Sequence, residues 1–249
     1  MKTEWDYTAL ADSYLERPSY SDTAIDAMLS IAGLKKGDNV CDIGTGVAHL
    51  SLMLLSRGLK VVAIEPNDAM KIHGINRTKN FKKVSWYQST AENTGQASNR
   101  FDMVTFGSSF NVCDRRLALE ETARILKPKG WFVCMWNNRQ LEDPIQAGIE
   151  SLIKERITSY DYGSRRENQT AVLEESGLFG AVIHLNSLII HEQRIEKCVE
   201  AWRSHATLAR QSGNEFENIV LSIEKYLKSY NRESIQIPYS TNIWLSQLR

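Results

Sequence analysis

The sequence predicts an α/β fold, a seven-stranded and mostly parallel sheet with helices on both faces, on three observations. Short apolar runs of strand length recur from residue 39 onward, and most are followed by a stretch with apolar residues at helical spacing. Alternation of that kind demands parallel pairing, because parallel neighbours need a crossover that a helix supplies. The first run, 39–43, ends in the glycine turn Gly44-Thr45-Gly46, and in such sheets ligands bind beyond the carboxyl ends of the strands.

The elements follow in order. The first twenty residues are polar and aromatic, with Trp5, Tyr7, Tyr14 and Tyr20 around Arg17-Pro18. They read as a lid segment or short helix, and Trp5, Tyr7 and Tyr20 as either a pocket wall or a packed flap. Ala24, Ile25, Met28, Leu29 and Ala32 share one helical face, with Ser21 or Asp22 as cap and Gly33 as stop. Strands are predicted at 39–43, 60–64, 84–88, 101–106 and 131–136, and helices at 47–57, 68–78 and 117–126, the last stopped by Pro128 and Gly130. Beyond Trp136 the pattern changes to helices at 144–160 and 169–176 and a strand at 182–191. Long helices follow at 195–210 and 215–230, and a last strand at 235–245 carries Pro238, which suggests an edge or strand-start position. The organisation is one domain: a lid and helix over 1–33, a ligand-binding core over 34–140, and an acceptor-side half over 141–249. Cap helices occupy about 194–231 of that half, before the final strand.

A chain of 249 residues, 42% of them hydrophobic, suits one large α/β domain. Thirty basic and thirty acidic side chains give a formal charge of +0 and no field to draw nucleic acid or an anionic membrane. The sequence has no apolar stretch near the roughly 20 residues of a membrane span. The polar start Met1-Lys-Thr-Glu-Trp5 opens no signal peptide. The expectation is a soluble cytoplasmic protein, monomer or homodimer, without a nucleic-acid or membrane partner. Cys41, Cys113, Cys134 and Cys198 form no C-x-x-C pair, so neither a zinc cluster nor a disulfide framework is expected, and no metal site.

The chemistry-bearing segment is Asp42-Ile43-Gly44-Thr45-Gly46-Val47-Ala48. Glycine permits the tight turn and close backbone approach to a ligand, and the following helix presents its N-terminus. Asp42, at the strand end, suits a ligand's ammonium; Glu65, about 20 residues on at the end of the next strand, suits both hydroxyls of a ribose. A dinucleotide fingerprint would place a third glycine at position 49, where His49 stands, and Asp42 would repel a pyrophosphate. S-adenosylmethionine has no phosphate and meets neither objection.

With these residues the chain resembles the class I S-adenosylmethionine-dependent methyltransferases, almost end to end. Its small-molecule branch, similar to trans-aconitate methyltransferase, shares several stretches: Tyr14-Leu-Glu-Arg17-Pro-Ser-Tyr20, Glu65-Pro66-Asn-Asp-Ala-Met70, Ala91-Glu92, the run from Ala123 to Gly130, Trp136 to Arg139, and Pro238 to Thr241. The resemblance implies a Rossmann-like methyltransferase fold and S-adenosylmethionine as cofactor. It implies that Asp42, Gly44, Thr45 and Gly46 meet the amino-acid end and that Glu65, beside Pro66, binds the ribose. It places Met70 on the adenine face, Thr90, Ala91 and Glu92 at the adenine edge, Ser108 and Ser109 near the methionine moiety, and Tyr14 over the cofactor. The chain departs from the family at Ala48, where glycine is usual, at Thr90, where aspartate is common, and at Asn111-Val112, where relatives often carry His-Trp.

Methyl transfer from a sulfonium is an in-line displacement dominated by positioning and exclusion of water. Asn111 cannot act as a base and stands in the departing stretch. His205 lies on the cap, facing either the acceptor or solvent. Arg139, beyond the fifth strand, would hold a carboxylate bidentately or sit at the surface. His49, His73, His184 and His191 read as structural or solvated, and Trp131 and Trp136 as core. The expected function is methyl transfer from S-adenosylmethionine to an O or N atom of a small organic molecule. The alternatives are a carboxyl methyltransferase acting on an acyl-carrier-bound substrate and a non-catalytic S-adenosylmethionine-binding protein. RNA methylation is disfavoured by the neutral charge and by Ser108-Ser109-Phe110-Asn111 in place of an Asn/Asp-Pro-Pro-Tyr signature.

Overall fold

The computed structural model describes residues 6–249, so the expectation for Trp5 lies outside the described residues. Seven strands form one sheet: β1 (Asn39–Ile43), β2 (Lys60–Ile64), β3 (Val84–Tyr87), β4 (Phe101–Gly107), β5 (Leu126–Arg139), β6 (Phe179–Arg194) and β7 (Ser234–Leu248). Their spatial order is β3-β2-β1-β4-β5-β7-β6. The first five run parallel, and β7 inserts antiparallel between β5 and β6. The helices are α1 (Ala11–Tyr14), α2 (Asp22–Ile31), α3 (His49–Ser56), α4 (Asp68–Thr78), α5 (Arg115–Ile125), α6 (Pro144–Arg156), α7 (Thr170–Glu175), α8 (Ile195–Arg203), α9 (Ala206–Ser212) and α10 (Phe216–Lys228).

The two-residue period of the strands sorts their side chains into two cores. Cys41, Ile43, Val104, Phe106, Phe132, Cys134 and Trp136 face one side, against Ala118, Leu119 and Ile125 of α5 and Leu173 of α7. Val40, Met103, Val133, Met135, Ile243 and Leu245 face the other, against Ile25 and Met28 of α2 and Leu50 and Leu54 of α3. A third core joins α6, α8, α9 and α10 to Ile235, Ile237 and Tyr239 of β7. Each fully buried side chain such as Phe132 or Leu54 contributes roughly 2 kcal/mol.

Helix starts follow local chemistry: Ser21, Asn67, Asp114 and Asp143 each accept a backbone N–H of the first turn, and Pro144 takes the first position of α6. The expected helix over 195–210 is in fact two. The chain leaves helical geometry at His205 (φ −83°, ψ 83°), whose ring caps α9. Apolar spacing is similar on both sides of the break, so periodicity does not register it. The fifth strand begins at Leu126 rather than 131, because Lys129, at φ +62°, lets the Lys127-Pro128-Lys129 stretch pair irregularly. Pro238 is not in an edge strand, since β7 is interior. Its carbonyl accepts from Gln140 N at 3.0 Å, just past the end of β5, so the N–H that proline lacks faces no strand there.

Candidate functional site at the carboxyl ends of the parallel strands

The loop after β1 is held by β2: Gly44 N and Thr45 N both donate to the Ile64 carbonyl, at 2.9 and 3.1 Å. Thr45 Oγ1 donates back to the Asp42 carbonyl at 2.6 Å. Gly44 and Gly46 are left-handed, at φ +65° and +57°. A Cβ on Gly44 would lie 2.4 Å from Ser109 Cβ, so only glycine lets the loops after β1 and β4 close together. Ala48 also adopts left-handed geometry, at φ +70°. Where the methyltransferases it resembles usually carry glycine, this chain thus holds an alanine in a geometry that costs it about 1 kcal/mol.

Two carboxylates lie buried beside this loop. The register pairs Asp42 with Thr105 of β4, whose hydroxyl donates to Asp42 Oδ1 at 2.9 Å, while Ser51 Oγ donates to Oδ2 at 2.6 Å. Burial pushes the Asp42 carboxyl up to about 6, against these two hydrogen bonds. Glu65 Oε2 accepts from Gly46 N at 2.7 Å and Oε1 from Asn67 N at 2.9 Å. Burial raises Glu65 to about 7 although both amides favour the ionised form. Neither carboxylate has a cationic partner within 4 Å among the described residues.

Two clefts open from the loop. The larger, about 690 Å³, is lined by Gly44, Pro66, Thr90, Ala91, Glu92, Ser109 and Asn111, so it gathers the residues expected at the adenine edge. The smaller, about 70 Å³, is lined by Tyr14, Asp42, Thr45, Ser108, Arg139 and His205. Ser108, left-handed at φ +60°, turns the end of β4 between them, and its hydroxyl pairs with Tyr20 Oη at 2.9 Å. Three expected residues line neither cleft. Gly46 and Glu65 are bound to each other, and Met70 packs against the loop with Ala11 and Val47. Met70 is thus on the core side of the loop rather than at a cleft wall, because α4 folds its first turn back under Gly46.

In the smaller cleft His205 is buried, not solvent-facing. Its Nδ1 accepts from Leu208 N at 3.2 Å, its ring stacks on Trp202 at 5.2 Å, and burial beside Arg165 and Arg17 holds its pKa well below the usual range. That favours the neutral ring, whose Nε2 lies 3.3 Å from Arg165 Nη1. Arg139 is likewise not at the surface: its guanidinium lies over the Trp202 ring at 4.1 Å and the Tyr239 ring at 5.5 Å. Asn111 accepts from Trp136 Nε1 at 3.0 Å, which fixes the short 3₁₀ turn Phe110–Val112 to β5. His49 Nε2 meets the Tyr14 carbonyl at 3.1 Å, and burial lowers it to about 4. His73 instead pairs with Asp12, at 2.9 Å. Arg17, Arg165 and Tyr239 also line the smaller cleft and were not singled out by sequence reasoning. Arg17 and Tyr239 sit inside stretches shared with the family; nothing in the sequence around Arg165 marks it. Among the described residues no three His, Cys, Asp or Glu side chains are grouped to hold a metal, and no helix is long and apolar enough to cross a membrane.

The topology and the glycine loop define the Rossmann-like class I methyltransferase fold. Residues 41–134, which span β1 to β5 and contain the loop and both carboxylates, match the family described as the methyltransferase domain. An uncharacterized methyltransferase of Mycobacterium tuberculosis is 34% identical over 123 residues, covering 49% of this chain and 48% of its own. The demethylmenaquinone methyltransferase of Staphylococcus carnosus is 31% identical over 125 residues, covering 49% and 52%. The chain thus spans about half the length of the curated relatives it matches. A solved structure from Anaeromyxobacter dehalogenans, described as a candidate type II methyltransferase, superposes with a TM-score of 0.68 at 16% identity over 94% of this chain and 97% of its own.

Proposed function

We propose that the chain is an S-adenosylmethionine-dependent methyltransferase acting on an O or N atom of a small organic molecule. The observation that carries this reading is the Gly44-Thr45-Gly46 loop closed against Ser109, with a cleft of cofactor size on one side and a smaller cleft on the other. The residues fit the cofactor. The buried Asp42 lines the cleft on the side where the amino-acid end would lie, and Pro66, Thr90, Ala91 and Glu92 line the opposite one. Bound there, S-adenosylmethionine supplies an electrophilic methyl group on a sulfonium.

The protein's own part is to position and to exclude water. Tyr14, Tyr20 and His205 wall the smaller cleft, and Ser108 and Asn111 stand at the junction between the clefts. Isothermal titration should show one site for S-adenosylmethionine, and a methyl-release assay on small acceptors should then show turnover. Binding without turnover on any acceptor would favour a non-catalytic cofactor-binding protein, and no binding would end the reading.

A further inference from the structure

The sheet has two edges, and they are protected very differently. β3 ends it on one side with only four residues, Val84–Tyr87, preceded by the exposed Lys82 and Lys83. A short edge flanked by lysines resists pairing with another chain. β6 ends the sheet on the other side with sixteen residues, Phe179–Arg194. That stretch contains no lysine and no proline, and its register shift lies at its start, between Phe179 and Val182. From Val182 to Arg194 it pairs with β7 without a break. Among the described residues the backbone of Val182 to Gln193 has no backbone partner outside β7. The outer row of N–H and C=O groups is therefore open.

Alternation along β6 turns Ile183, Leu185 and Ile189 toward the cores. His184, Asn186, Leu188, Ile190 and Glu192 take the opposite face, in solvent. Leu188 and Ile190 are 63% and 58% exposed. One exposed leucine is ordinary, but two large apolar side chains side by side on a long open edge mark a surface that another strand covers.

The order of side chains identifies that strand. In an antiparallel pair about a two-fold axis, residue i of each copy faces residue j of the other. With the axis at Leu188, that residue meets its own counterpart, and Ile190 of each copy lies diagonal to it. Glu192 of each copy then stands opposite His184 of the other, so an acid meets a base twice. An axis at Ile190 would set Leu188 against Glu192. An axis at Ile189 would set His184 against Arg194. The edge is thus complementary to itself in one register.

We propose that β6 is a dimerisation edge. A second copy of this chain pairs antiparallel along it about an axis at Leu188, joining two seven-stranded sheets into one. No residue of β6 lines either cleft, so the pair leaves both open.

Sedimentation velocity of the full chain, over micromolar to submillimolar concentrations, should show a reversible dimer. Leu188→Lys should weaken it at least about tenfold while the far-UV circular dichroism stays unchanged. Glu192→Lys should weaken it about fivefold, and adding His184→Glu should restore most of the loss, a recovery that a misfolded variant cannot give. Leu188→Cys should form a disulfide across the axis under mild oxidation, whereas Leu221→Cys, also exposed but on α10, should not. A wild type that stays monomeric overturns the proposal, even if an added peptide strand binds the edge. A dimer that Leu188→Lys leaves undiminished, or that Leu188→Cys does not cross-link, overturns it too, because that dimer forms elsewhere or in another register.

Discussion

The sides proposed for the cofactor and for the acceptor are built on different principles. The cofactor side is made of backbone: two left-handed glycines, strand ends set by parallel pairing, and amides that hold Glu65. Most of its parts lie within one stretch, residues 41–134, that the methyltransferase domain family also covers, with Tyr7 and Arg210 added to the cleft from outside it. The acceptor side is made of side chains brought together from the lid, the end of β5, the turn at Gly163–Arg166 and the cap helices α8 and α9. The difference teaches that one fold holds a fixed cofactor with geometry and reads a variable acceptor with side chains on separate elements.

The sharpest way to break the comparison is to damage one side and measure the other. Trp202 is fully buried between Arg139 and His205 at the centre of the acceptor side. Trp202→Ala should cost about 3–5 kcal/mol in urea denaturation. It should remove turnover yet leave S-adenosylhomocysteine affinity within about threefold, the independence expected of separate sites. Equal loss on both sides would mean the two are one unit. Gly44→Ala is the converse. A methyl group 2.4 Å from Ser109 Cβ, on a left-handed backbone, should cost about 2–3 kcal/mol and abolish S-adenosylmethionine binding by titration.

That contrast also sets what was legible in the sequence. Strands and the glycine turn are local, and Asp42, Gly44 and Glu65 sit where spacing placed them. The expectation that Glu65 faces an open ribose site meets a carboxylate whose two oxygens are engaged by Gly46 and Asn67 amides. The reason is burial, which no spacing reports. Arg165 was illegible because its meaning depends on Arg17 and Arg139, distant in sequence and adjacent only after the cap folds over β5. The sequence left His205 facing either the acceptor or solvent within one long helix, and the break between α8 and α9 turns its ring inward.

Acidity separates the sides further. Glu65, raised to about 7, binds its proton more tightly folded than unfolded. The stability this lends is present below the ordinary carboxylate range and is lost as pH rises through about 7. Between pH 5 and pH 8 the wild type should therefore lose about 2 kcal/mol more than Glu65→Gln, as read from paired urea melts. A common slope would place the titration elsewhere. The smallest effect is expected at Ala48: Ala48→Gly relieves the left-handed alanine and should stabilise by about 1 kcal/mol, seen as a raised denaturation midpoint.

The lid touches both sides at once. Tyr14 gives its carbonyl to His49 beside the cofactor loop, and Asp12 holds His73 on α4. The same segment ties Ser13 to Glu200, Glu16 to Lys197 and Arg17 to Ser204 on the cap. A strap tied to both sites gives them a route to coupling. Whatever factor an acceptor gains from a seated cofactor, the cofactor must gain from the acceptor, because coupling free energy has no direction. The protein would then hold its methyl donor most firmly when there is something to methylate.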